Sequence, residues 1–233
     1  GMFKNTNYNA KDTEDYKNND SNIEGATAFG ILTQLPLKKY IQSKKENHYL
    51  TPKFLFRYSP SHMRNISGGR LSYNNLYDIN KVNEIDVIEN GLSMSLGFDF
   101  RKNQVNKQKN TEIEKFSFAM GQVVSSSENI DMPASTSLDQ KFSDVVGVSN
   151  VNINENSNLN YNFSIDQNYK NFNYNDFNKI INFNSVDLNF NYLKETKHYG
   201  QTEYFETNVS YLVDTNEKLS ITGKRNLISN SAE

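Results

Sequence analysis

Residues 80–100, NKVNEIDVIENGLSMSLGFDF, pass from a charged, turn-like lead-in into a strictly alternating run. From Gly91 onward Leu92, Met94, Leu96, Phe98 and Phe100 are large and apolar, whereas Gly91, Ser93, Ser95, Gly97 and Asp99 between them are small or polar. Successive side chains of a strand point to opposite faces, so this run predicts a β-strand with one greasy face and one wet face.

The same alternation recurs on both sides of it. Before it come residues 23–35 (IEGATAFGILTQL) and 50–59, where Pro52 suits a position near the strand's start. After it come 113–123, 145–154, 159–165, 172–183, 186–192, 205–213 and 219–223. The apolar phase switches near Phe177, which predicts a bulge there. The reading is all-β: an antiparallel up-and-down meander of about ten strands with no helix. Residues 1–22, rich in Asn, Lys and Asp, read as a loop or strand remnant, and 23–233 as one β domain.

Two connections are long. Residues 60–84 carry the turn signals Ser59-Pro60 and Gly68-Gly69 around a short run, 71–77, and residues 124–142 contain Met132-Pro133. In a meander both fall at the same end of the sheet. Long loops at one end and short turns at the other are the asymmetry of outer-membrane barrels.

Composition bounds the partners. A net charge of −2 with mixed signs offers no basic stripe for a phosphate backbone, so nucleic acid is not expected. The absence of cysteine excludes thiol catalysis, thiolate metal sites and disulfides within these residues. No apolar run approaches the ~20 residues of a membrane-spanning helix, and GMFKNTNYNA has neither the basic nor the apolar region of a secretory signal, which would have to lie outside this chain. About one residue in six is asparagine, yet 15 Phe and 14 Tyr at strand spacing argue against disorder.

A sheet with one apolar and one small, polar face suits a sandwich whose outer faces meet water, or a membrane barrel whose inner face does. The apolar faces end in Tyr58, Phe100, Tyr192 and Tyr211, strand lengths approach the ~9–11 residues that cross a bilayer, and the polar face uses Ser, Asn and Gly rather than Lys and Glu. These features favour the barrel. A soluble sandwich, another outer-membrane pore or receptor, and an extracellular β-rich adhesion protein stay open as alternatives.

No enzyme signature stands out. Asp86 and Glu89 could form a carboxylate pair for acid-base work or for a bridging cation, but polar residues at a loop-to-strand junction, fixed by Asn80 and Lys81, are the simpler reading. His48, His62 and His198 are isolated in polar segments and read as solvated; residues 125–127 lack a nucleophile-elbow context. Ser93, Ser95, Asp99, Ser117, Asn160 and Asn162 are candidates for a collective, hydrated lumen wall. No cofactor or metal is expected.

Residues 50–60 (LTPKFLFRYSP), then Asn74-Asn75-Leu76-Tyr77 with Asn80, Lys81, Asp86, Glu89 and Gly91, resemble the C-terminal barrel domain of the LPS-assembly protein LptD family, also called organic-solvent-tolerance protein (OstA). Gly121-Gln122-Val123, Pro133, Ser143-Asp144 and Gly147 continue in the family's order. The resemblance spans about residues 27–225 and implies a transmembrane β-barrel of the Gram-negative outer membrane. Such a barrel inserts lipopolysaccharide into the outer leaflet, with membrane lipid around it, an LptE-like plug lipoprotein inside it and a periplasmic LPS bridge reached through a further domain. In that family the barrel is larger than these residues, a jellyroll domain precedes it, and the final strands pair with the first. About ten strands alone would therefore leave open edges. Lys81 departs from the arginine more usual in the family at that position.

Overall fold

The computed structural model describes the chain except for residues 12–18, 65–68, 83–86, 107–110, 199, 215–216, 230 and 233. Among the described residues it contains thirteen strands: β1 (Met2–Ala10), β2 (Asn19–Gln34), β3 (Leu37–Ile41), β4 (Glu46–Ser59), β5 (Gly91–Asn106), β6 (Thr111–Ser125), β7 (Val145–Asn154), β8 (Ser157–Ile165), β9 (Phe172–Phe183), β10 (Val186–Glu195), β11 (Thr202–Leu212), β12 (Lys218–Asn226) and β13 (Ser231–Ala232). A 3₁₀ turn at Ala134–Thr136 is the one helical element among the described residues.

All strands join one antiparallel sheet in sequence order, with β3 pairing only β4. The ten expected strands are all present. The additional ones are β1, the two-residue β13, and β3, which lies in the charged connection after Gln34. In register β3 continues β2: Gln34 faces Lys53 and Leu37 faces Leu50, three steps along each strand. Pro36, which has no backbone N–H to donate, separates two halves of one strand. Residue 22 falls inside β2, and Met2–Ala10 of the N-terminal stretch is a strand paired with it. The register shift in this region lies between Ser164 and Ile165, opposite Phe172 and Tyr174, and not near Phe177. The apparent phase change at Phe177 arises because Tyr174 and Ile180 share a face with Asp176, while Lys179 shares the other with Phe177.

Burial across the sheet is the reverse of a soluble sandwich. On β4 and β5 the large apolar side is the exposed one: Phe56 is 40 % exposed, Tyr58 49 % and Leu96 41 %. The small, polar side is covered, with Arg57 at 0 %, Ser93 at 4 % and Ser95 at 1 %. Leu50 to Tyr58 spans eight steps, roughly 26 Å along the strand at about 3.3 Å each. The exposed side also carries a belt of rings: Phe98 and Phe118 have centroids 6.0 Å apart, Phe118 and Phe163 6.2 Å, Tyr161 and Phe177 6.5 Å, and Phe190 and Phe205 6.5 Å. Gly147 makes this belt continuous across β7, because a Cβ there would lie 2.3 Å from the Phe163 ring.

The compact hydrophobic core is built mostly by the two long connections, at one end of the covered face. Met63, Leu71, Leu76 and Val87 from the first meet Met132 and Leu138 from the second, over Val123 of β6 and Val146 of β7. Tyr73, Tyr77 and Val82 pack against its rim.

Candidate functional site

The first long connection crosses the covered face as a strap, described at residues 69–82 and 87–90. It lies flush because two glycines face each other beneath it. Gly97 on β5 pairs with Gly121 on β6. A Cβ on Gly97 would meet the Tyr77 hydroxyl at 2.5 Å and the Met120 carbonyl at 2.2 Å, and one on Gly121 would meet Leu76 Cδ2 at 2.5 Å. Ser93 and Ser95 lie under the strap, and their hydroxyls have no hydrogen-bond partner among the described residues. Thus two of the residues expected to line a hydrated wall are covered, whereas Ser117 and Asn160 lie beyond the strap and Asn162 lines a cavity beside its Arg70–Asn74 segment, all three half-buried. Ser117 accepts a hydrogen bond from Asn150 Nδ2 at 3.2 Å, and Asn162 donates to Asp176 Oδ2 at 3.4 Å.

One end of the strap is held by a buried clasp. Arg57 of β4 donates from Nε to the Ile79 carbonyl and from Nη2 to the Glu89 carbonyl. Lys81 Nζ lies 3.5 Å from Glu89 Oε2, both side chains almost fully buried, and Asn80 Nδ2 donates to the Val87 carbonyl at 3.2 Å. Burial pushes the Lys81 ammonium below the usual lysine range, partly offset by Glu89. Asn80, Lys81 and Glu89 therefore converge, and they fix the strap to the sheet. Asp86 lies outside the described residues. Gly91 follows at φ +90°, a left-handed conformation that favours glycine at the entry to β5. In the middle of the strap, Asp99 accepts from the Tyr73 hydroxyl and pairs with Lys53 at 2.5 Å. Burial and the Asp99 hydrogen bond raise the Tyr73 pKa, and burial pushes Tyr77 up to about 12, so both phenols stay protonated.

The other end meets a second buried network around Asp144, next to the start of β7. Asp144 Oδ2 accepts from Ser164 Oγ at 2.9 Å and Asn173 Nδ2 at 2.7 Å, and Lys197 Nζ lies 3.4 Å from Oδ1. His198 sits between two carboxylates, with Nε2 3.6 Å from Asp144 Oδ2 and Nδ1 3.1 Å from Glu195 Oε1. His198 is buried and not solvated, because the loop after β10 folds it onto Asp144. Glu195 in turn reaches Arg70 of the strap at 3.6 Å, whose guanidinium stacks 3.6 Å from the Tyr174 ring centroid. His48 and His62 lie beside other carboxylates, Glu46 and Glu24. Among the described residues no cluster could hold a metal ion.

The remaining singled-out residues shape the second connection. Gln122 donates to the Ser143 carbonyl at 2.7 Å, Ser143 Oγ accepts from the Val123 N–H at 2.9 Å, and Pro133 offers its carbonyl to Thr136 at the 3₁₀ turn.

Burial works against ionising Asp144, but the neighbouring His198 imidazole, the Asn173 hydrogen bond and Lys197 hold its carboxyl below the usual range. A depressed carboxylate stabilises the fold above its unfolded value and loses that contribution as pH falls through the folded one. The loop end of the sheet should therefore loosen progressively below about pH 4. Asp144→Asn should remove that acid dependence and, at neutral pH, expose backbone amides of residues 196–198 to hydrogen exchange. Hydrogen-exchange mass spectrometry across pH 3–7 checks both effects.

Arg57, Arg70 and Glu195 are site residues the sequence did not single out, and His198 reads there only as solvated. Of the first three, Arg57 alone left a trace, as the one arginine in the alternating run 50–59.

A family model described as "LptD: LPS transport system D" matches residues 2–223. The chain belongs to the LptD family. No individual curated protein matches it significantly. The LptD match begins at Met2, the first residue of β1. LptD proteins serve lipopolysaccharide transport and assembly and are not an enzyme family.

Proposed function

We propose that this chain forms part of the wall of an outer-membrane LptD barrel that delivers lipopolysaccharide to the outer leaflet. The observation that carries the reading is the inverted sheet. An exposed apolar face of this extent on a soluble monomer would be an aggregation surface. Against acyl chains it is the stable arrangement, and a run of ~26 Å along a strand tilted by about 40° rises ~20 Å, most of the ~25 Å apolar band of membrane barrels.

On this reading the covered face looks into the lumen, the long connections lie at the extracellular end, and the strap closes that end over β4–β6. The half-buried polar residues of β6–β10, among them Ser117 and Asn160, line the part of the lumen the strap leaves clear, and Asn162 lies at the strap's border. A plug lipoprotein of the LptE kind and the saccharide of lipopolysaccharide would contact that region, with substrate arriving from a periplasmic LPS bridge. The chain acts by shaping a path and catalyses no reaction.

Site-specific photocrosslinking in living cells tests this. A photoreactive residue at Asn160 should give an adduct that carries lipopolysaccharide and disappears when lipopolysaccharide synthesis is blocked. Adducts with extracellular proteins and none with lipopolysaccharide would instead support a surface adhesion role.

A further inference from the structure

We propose that the cavity between the strap and β7–β9 is a binding site for a single neutral saccharide ring. The proposal rests on the transport reading for its biological meaning and on the cavity for its chemistry. The cavity encloses about 190 Å³, the liquid volume of about six waters. Arg70, Tyr73 and Asn74 of the strap face Asn162, Tyr174 and Asp176 of β8 and β9 across it.

These residues offer what a hexose needs and what other ligands do not. The Asp176 carboxylate accepts from the Tyr174 hydroxyl at 3.1 Å and from Asn162 Nδ2 at 3.4 Å. A carboxylate has about four acceptor positions, so room is left for ligand hydroxyls. Asn162 and Asn74 add amide groups that donate and accept, and the half-buried Tyr73 ring offers an apolar surface for the C–H face of a sugar, while the Tyr174 ring is covered by Arg70. Charge disfavours the alternatives: the lining carries one cation, Arg70, which already pairs with Glu195 at 3.6 Å, and one anion, Asp176, so a phosphate would meet Asp176 and a divalent cation would meet Arg70. An uncharged polyol suffers neither repulsion.

Saturation-transfer NMR on the detergent-solubilised protein, with D-glucose, D-galactose and N-acetyl-D-glucosamine as probes, tests the assignment. At least one sugar should receive saturation with millimolar affinity, and Asp176→Ala and Asn162→Ala should each weaken it about tenfold or more. Asn74→Ala changes an exposed strap residue outside the sheet and should also weaken binding, which keeps the test valid if a strand variant misfolds. No transfer to any of the three sugars, or transfer unchanged in all three variants, overturns the proposal. Tighter binding of inorganic phosphate or magnesium than of any sugar overturns it too. A lipopolysaccharide adduct from Asn160 without sugar binding would defeat this inference alone, whereas sugar binding without the adduct would defeat the transport reading.

Discussion

Gly121→Val should lift the strap from the sheet. The new side chain would begin 2.5 Å from Leu76 Cδ2 and from the Leu96 carbonyl, so either the strap or the backbone ladder must give. Overpacking of this kind costs about 1–3 kcal/mol. The strap is the softer partner, because among the described residues fewer backbone hydrogen bonds hold it than hold β5 to β6. Its open population should rise about 5- to 150-fold, measured as faster hydrogen exchange and proteolysis within residues 69–90. Gly223→Val is the control: nothing lies within 4 Å of a Cβ there, so the strap should be unaffected. In cells, the Gly121 variant should admit large antibiotics that the outer membrane normally excludes.

Arg57→Met should have a larger effect on the same observable. It removes both side-chain donors to the Ile79 and Glu89 carbonyls and leaves those carbonyls buried beside an apolar chain. An unsatisfied buried acceptor costs about 1–3 kcal/mol, and loss of one partner from a buried charged cluster about 3–5 kcal/mol. The Lys81–Glu89 pair provides the comparison. Removing Lys81 alone strands a buried carboxylate, but Lys81→Met combined with Glu89→Met replaces the pair with apolar side chains and should be close to neutral. Strap protection, read by hydrogen exchange, should therefore fall most in Arg57→Met, substantially in Lys81→Met and little in the double variant.

The strands were legible because large apolar residues alternate with Ser, Gly and Asn over eight or more positions, a pattern that only a two-faced sheet satisfies. β1 escaped because Phe3-Lys-Asn-Thr-Asn-Tyr8 has little contrast between its faces, and β3 because Pro36 and two lysines look like a turn. The site was less legible for a different reason. A small residue facing water and a small residue kept small for an approaching segment read alike. Gly97 and Gly121 could be placed on the small face, but the strap that sits on them could not. Likewise the polar neighbours of His198 in sequence suggest solvent, and only the fold of the β10–β11 connection brings it onto Asp144 and Glu195.

The central claim is that the exposed apolar face of the sheet meets lipid and the small polar face does not. The chain has no cysteine, so single-cysteine variants carry a spin label at one position only. Labels at Leu96, Phe177 and Val209, on the outer face, and at Ser117, Asn160 and Asn178, on the covered face, can be compared in outer-membrane vesicles. The account predicts that the first set collides with dissolved oxygen far more often than with a water-soluble nickel chelate, and that the second set reverses this preference. Equal nickel accessibility on the two faces, or lipid contact at Ser117 and Asn160, would contradict it.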